Sequence, residues 1–183
     1  MSTLSKLYPH IAVSTGEFSA AECENVFIES AKFKWEQGDI DTSDDLEHIR
    51  SGKVKGLIPD EDNKWLYERV AALFNDFNDK VVHQDWTGYI ECIQFAEYEV
   101  GDHYDWHFDG FEETGRKLSM SIQLANGYQG GTLQVGLPSN SVEVDTAPGT
   151  AACFPSWMPH TVEPVTKGTR YSLVAWGHGP AVR

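Results

Sequence analysis

Apolar residues recur at helical spacing in two stretches of the first 80 positions and in short β-rich runs from Tyr89 onward. Cys23, Val26, Phe27 and Ser30 share one helical face, and Ser19-Ala-Ala-Glu22 ahead of them forms a capping box, in which serine and glutamate satisfy free N–H groups of the first turn. Gly38 is expected to end this helix. The acidic stretch from Asp39 to Asp45 and the Gly-containing segment from Ser51 to Pro59 show no clear period, so Asp39 to Pro59 is expected to form a long, mobile loop. Leu66, Val70, Leu73, Phe74 and Phe77 then predict a second helix, with Asp60 to Asp62 near its start where negative charge suits the helix dipole.

The later runs are Tyr89 to Tyr98, Tyr104 to Asp109, Lys117 to Leu124, Thr132 to Val135, Ser141 to Val144, Thr150 to Phe154, His160 to Val165 and Arg170 to Trp176. About eight short strands in about ninety residues predict a mainly β fold, a jelly roll (double-stranded β-helix, cupin-like) or a small barrel, braced outside by the helices. One domain spanning 1–183 is expected, with 1–88 as helical support and loop and 89–180 as the core.

Composition narrows the partners. A 40% hydrophobic and 23% charged chain is that of an ordinary globular protein. A net charge of −14, with no offsetting Lys/Arg cluster, repels a polyphosphate backbone and favours a peptide, protein or small-molecule substrate over nucleic acid. Cys23, Cys92 and Cys153 lie far apart and read as buried free thiols. Met1 to Ala20 holds no apolar run of signal-peptide length and no stretch approaches the roughly 18 residues of a membrane span, so a reducing, cytoplasmic setting without membrane attachment is expected.

His107-Phe108-Asp109 places an imidazole and a carboxylate two residues apart, which on a strand turns both to one face. With His160 as a third donor they would form a facial triad that leaves three coordination positions open on one metal ion. His103-Tyr104-Asp105 is a second copy of the triplet, and on an unbroken strand all four groups would share a face.

The wider pattern Gln94-x-x-x-Tyr98-x-x-Gly101-x-x-Tyr104-x-x-His107-x-Asp109 resembles the prolyl 4-hydroxylase and PKHD-type branch of the 2-oxoglutarate/Fe(II) dioxygenases. It continues through Gly130-Gly131-Thr132-Leu133, Pro148-Gly149, Phe154-Pro155-Ser156, His160-x-Val162-x-Pro164-Val165-Thr166-x-Gly168-x-Arg170 and Trp176, covering about residues 89 to 180. Sliding the pattern back to His103 puts Glu97 where the family has Gly and Val100 where it has Tyr, so His103 and Asp105 are assigned to supporting or surface roles. The resemblance implies an enzyme that holds Fe(II) with His107, Asp109 and His160 and uses 2-oxoglutarate and O2, with ascorbate as an accessory reductant. It further implies hydroxylation of an unactivated carbon, in a prolyl residue of a peptide or protein or in free proline, with release of succinate and CO2.

Arg170 follows His160 by ten residues across the Lys167-Gly168 turn, and a guanidinium fork matches a carboxylate in two-pronged fashion. In the resembling family this position grips the distal carboxylate of 2-oxoglutarate. Many prolyl 4-hydroxylases have Lys there, whereas PKHD-type proteins have Arg. Ser172, at i+2 on the same face, and Tyr98 can add hydroxyl hydrogen bonds to the keto acid. Gln94, Tyr104, Leu124 and Trp176 are expected along the pocket, with Trp176, Phe95 and Leu124 as core or wall rather than catalytic groups. Gly130 and Gly131 read as a structural turn or bulge. Rival readings are a cupin-like metal enzyme that uses no keto acid, which succinate release would exclude, and a non-catalytic metal- or ligand-binding module, which would bind without turnover.

Overall fold

The computed structural model describes residues 10–37, 49–89, 91–110 and 115–180. In chain order these form β1 (Ala12–Ser14), α1 (Ala20–Ser30), β2 (Glu36–Gln37), β3 (Lys53–Leu57), α2 (Lys64–Phe77), a π-helical turn (Asn78–Val82), β4 (Ile93–Tyr98), β5 (Tyr104–His107), β6 (Arg116–Gln123) and β7 (Gln129–Gly130). They continue as β8 (Leu133–Leu137), β9 (Asn140–Glu143), β10 (Ala151–Pro155), β11 (His160–Val162), β12 (Val165–Lys167) and β13 (Arg170–His178).

The larger sheet has seven strands in the order β1-β10-β6-β13-β4-β3-β2, and a four-stranded sheet runs β5-β11-β8-β9. Strands β7 and β12 pair separately, and every pairing is antiparallel. This two-sheet arrangement is the expected jelly roll.

The large sheet is covered on both faces, and strand alternation shows how. Ile93 and Phe95 of β4, Ala151 and Cys153 of β10, and Leu173 and Ala175 of β13 join the core under the helices, formed with Val26, Leu66, Val70 and Phe74. Their strand neighbours Ala96 and Tyr98, and Ala152 and Phe154, join a second core that includes Leu133, Val135 and Val162 of the small sheet. On β13 the alternate positions Arg170, Ser172, Val174 and Trp176 line a cavity instead.

The capping box forms as predicted: Glu22 N–H donates to Ser19 Oγ, and Ser19 N–H donates to the Glu22 carboxylate at 2.8 Å. Helix α1 stops at Ser30, earlier than expected; Gly38 lies outside the described residues. All five apolar positions predicted for α2 are buried. Asp60 Oδ1 accepts from the backbone of Asp62 and Asn63, forming the turn that leads into this helix.

The expectation of a loop from Asp39 to Pro59 is corrected where it can be seen. Lys53–Leu57 is a strand paired along its whole length with β4, and Val54 and Leu57 are buried. Residues 39–48 lie outside the described set. The N-terminal half therefore contributes β1, β2 and β3 to the large sheet rather than helices and loop alone. The run His160 to Val165 is two strands, with Glu163 and Pro164 between β11 and β12. Cys23 and Cys153 are buried free thiols as expected, and Cys92 is half-buried. Among the described residues, no helix is long and apolar enough to cross a membrane.

Candidate metal centre and active site

His107 ends β5, Asp109 lies just beyond it, and His160 opens β11 directly opposite His107. Their ligand atoms all lie within 4.8 Å of one another. His107 Nε2 is 3.7 Å from Asp109 Oδ1, and His160 Nε2 is 3.3 Å from Asp109 Oδ2.

A bulge decides which His-x-Asp triplet faces inward. His160 pairs with His107 and Val162 with Tyr104, so the three-residue step on β5 faces a two-residue step on β11. Tyr104 and His107 consequently face the same way, while Asp105 and Trp106 are both exposed. His103 is turned to Ser51, whose hydroxyl lies 3.1 Å from its backbone nitrogen. The second triplet is thus outside the cluster.

Each imidazole is oriented by a carbonyl two residues before it: Asp105 O lies 2.7 Å from His107 Nδ1 and Met158 O lies 3.0 Å from His160 Nδ1. A carbonyl oxygen only accepts, so each Nδ1 carries a proton and Nε2 is the nitrogen left to face a ligand. Asp109 is held in turn. Ser119 Oγ donates to its Oδ2 at 2.6 Å, Ser156 Oγ lies 2.9 Å from that of Ser119, and the Asp109 N–H donates to the Ser156 carbonyl.

Burial pushes His107 down to about 3, keeping its ring neutral. Burial also opposes charge on Asp109, but His160, His107 and the Ser119 hydroxyl outweigh it and hold the carboxyl well below its usual range. Burial likewise disfavours a charged His160, yet the Asp109 carboxylate overrides it and raises the imidazole. Two imidazole nitrogens beside an ionised carboxylate make a donor set that suits a ferrous ion.

Arg170 is 1% exposed, with Nη1 donating to Ser172 Oγ at 3.1 Å and its guanidinium 5.4 Å from the centre of the Tyr98 ring. Among the described residues, the arginines that pair with a carboxylate are Arg69 and Arg116, and Arg170 Nε has no hydrogen-bond partner. A buried cation without a counter-ion is costly. The same cavity contains this cation and the His107, Asp109 and His160 cluster, an arrangement suited to an acid that binds the metal at one end and a cation at the other.

Gln94, Tyr98, Tyr104, Ser172 and Trp176 all line the cavity as expected. Leu124 does not: it packs in the core under the helices together with Phe95, because it falls on the opposite side of the sheet from the cavity. Sequence reasoning missed Arg50, Arg116, Ser119 and Ser121 on the cavity wall. Alternation of Ser119, Ser121 and Gln123 with Leu118, Met120 and Ile122 was the available signal for a strand with one polar buried face. Arg116 lies 3.9 Å from the centre of the Trp176 ring and forks onto Glu91, which also meets His178 Nε2 at 2.8 Å.

The fold and the His107, Asp109 and His160 cluster suit a metal-dependent oxygenase, and residues 93–178 match the model of the 2OG-Fe(II) oxygenase superfamily. The chain is also similar to PKHD-type hydroxylases. One from Synechococcus sp. (strain CC9902) is 35% identical over 91 residues, covering 48% of this chain and 41% of that protein. One from Herminiimonas arsenicoxydans is 36% identical over 92 residues, covering 45% of this chain and 41% of that protein. The matched segment thus spans about two fifths of the length of these curated relatives.

Two solved structures share the fold. A Pseudomonas putida prolyl-4-hydroxylase superposes with a TM-score of 0.76 at 21% identity, covering 94% of each chain. A prolyl hydroxylase from Trichoplax adhaerens, solved with a peptide fragment of the hypoxia inducible factor oxygen degradation domain, gives 0.77 at 20% identity, covering 93% of this chain and 84% of that one.

Proposed function

We propose that this protein is an Fe(II)- and 2-oxoglutarate-dependent hydroxylase acting on a prolyl residue of a peptide or protein, or on free proline. The observation that carries this reading is Arg170, a buried guanidinium without a carboxylate partner among the described residues, lining the cavity that holds His107, Asp109 and His160. In this reading the two Nε2 atoms and the Asp109 carboxylate hold the metal, and Arg170, with Ser172 and Tyr98 beside it, holds the far carboxylate of the keto acid. Bound Fe(II) with 2-oxoglutarate supplies the oxidising power: O2 gives one oxygen atom to the keto acid, which leaves as succinate and CO2, and the other to the substrate C–H, which becomes C–OH.

The chain's own residues position and shield. Asp105 and Met158 carbonyls fix the imidazoles, Ser119 fixes Asp109, and Leu133, Phe154 and Val162 give the cavity apolar walls. Arg50, Tyr104, Arg116 and Trp176 supply the donors and flat surfaces against which a peptide can lie. The PKHD-type relatives support a hydroxylase, and the two structural neighbours that are prolyl hydroxylases, one of them solved with a peptide, support a prolyl substrate.

The test is reconstitution with Fe(II) and 2-oxoglutarate without oxygen, followed by O2 and a panel of proline-containing peptides and free amino acids. A mass gain of one oxygen atom on a proline, matched by succinate, is the expected result. Turnover without 2-oxoglutarate would overturn the proposal, as would a substrate panel oxidised at other residues alone.

A further inference from the structure

Tyr128 lies in the turn between β6 and β7 and is not part of the cavity wall. Its hydroxyl donates to Gln123 Oε1 at 3.3 Å, and Gln123 is the cross-strand partner of Ser172, the residue that accepts from Arg170 Nη1. Gly131 shows that the Arg170 stem and the Tyr128 ring converge on one spot: a Cβ there would lie 3.0 Å from Arg170 Cδ and 3.5 Å from Tyr128 Cε2. Gly131 also has φ +63, so glycine meets both the backbone and the space requirement. Burial raises the Tyr128 phenol, and the Arg170 guanidinium is close enough to offset part of that rise.

We propose that Tyr128 is a positioning residue for the keto-acid site, holding the Arg170 fork from behind so that its open N–H groups face the carboxylate. This rests on the function proposed above. The physical need follows from the geometry. A five-donor cation with one fixed contact, to Ser172, can swing about its last bonds, and misdirected donors lose the two-pronged match that discriminates one dicarboxylic acid from another. Tyr128 can restrain that swing: its proton goes to Gln123, whose amide is buried, which leaves its oxygen to accept from the neighbouring guanidinium. Ser172 and Tyr128 would then limit the fork together.

The test uses the full chain loaded with Mn(II), which occupies the site without turnover, and calorimetric titration with 2-oxoglutarate and with 2-oxoadipate, its one-carbon-longer homologue. Tyr128→Phe keeps the ring and removes the hydroxyl. Expected are about tenfold weaker 2-oxoglutarate binding, a narrowed preference for 2-oxoglutarate over 2-oxoadipate, and unchanged Mn(II) affinity and Tm. Unchanged 2-oxoglutarate affinity in the variant would overturn the inference, and so would a parallel fall in Mn(II) affinity and Tm, which marks a merely structural role. Failure of the unmodified protein to bind 2-oxoglutarate at all would instead overturn the function on which the inference stands.

Discussion

Tyr104 and His107 stack ring on ring, with centroids 3.4 Å apart and planes 10° from parallel, although they sit three residues apart on one strand. A regular strand would turn them to opposite faces. The bulge opposite His160 and Val162 is what aligns them, and it also aims His107 at Asp109 and His160.

The flat ring of Tyr104 should therefore matter to the metal more than its hydroxyl does. Tyr104→Leu is expected to weaken Mn(II) binding several-fold, while Tyr104→Phe leaves it unchanged. Equilibrium titration of both variants checks this.

Losing one ligand frees the metal from the scaffold. His107→Ala should bind no stoichiometric iron by elemental analysis and form neither hydroxylated product nor uncoupled succinate. Asp105→Ala should retain both, since its side chain points to solvent. Turnover surviving in His107→Ala would move attention to the His103 triplet.

Arg170 is expected to separate stability from function. Replacing a buried cation that has no carboxylate partner among the described residues by an apolar chain of similar length removes a desolvation cost, so Arg170→Met should melt at or above the Tm of the unmodified protein. The same change should raise KM for 2-oxoglutarate at least a hundredfold. Adding 2-oxoglutarate to the metal-loaded unmodified protein should raise Tm, and adding it to Arg170→Met should not.

Acid should weaken the fold through Glu91. Burial opposes its charge, but the Arg116 fork and His178 prevail and hold the carboxyl below 4.5, its ordinary value. A depressed folded-state pKa contributes stability that is fully present above the unfolded value and fades as pH falls through the folded one. Because the Glu91 side chain is 34% exposed, solvent screens part of this effect. Glu91→Gln should accordingly flatten the decline of Tm below pH 4.5, read by thermal melts across pH 3 to 6.

Sequence pattern and structure agree where burial has one period and diverge where it has none. Helix α2 was legible because its five buried positions repeat at helical spacing, and the triad because its donors sit within a longer spaced pattern. Strand β3 was hidden by its charges. Lys55 is buried, its amine bonded to the Ser30 carbonyl and lying 4.4 Å from the centre of the Trp35 ring, so a strand of the large sheet reads in sequence as polar loop. Arg50 escaped notice because its place beside Tyr104 depends on contacts across more than fifty positions of chain. Leu124 was misplaced although it continues the alternation of Leu118, Met120 and Ile122 one step past β6, which puts it in the core under the helices.

The proposed ligands of the metal come from the four-stranded sheet and its margin, whereas Arg170 belongs to the seven-stranded one. An acid anchored at both ends would therefore act as a tie-rod across the seam between the layers. The gap between the sheets becomes a gauge of molecular length, and a bound acid should quiet the relative breathing of the two layers along with filling the site.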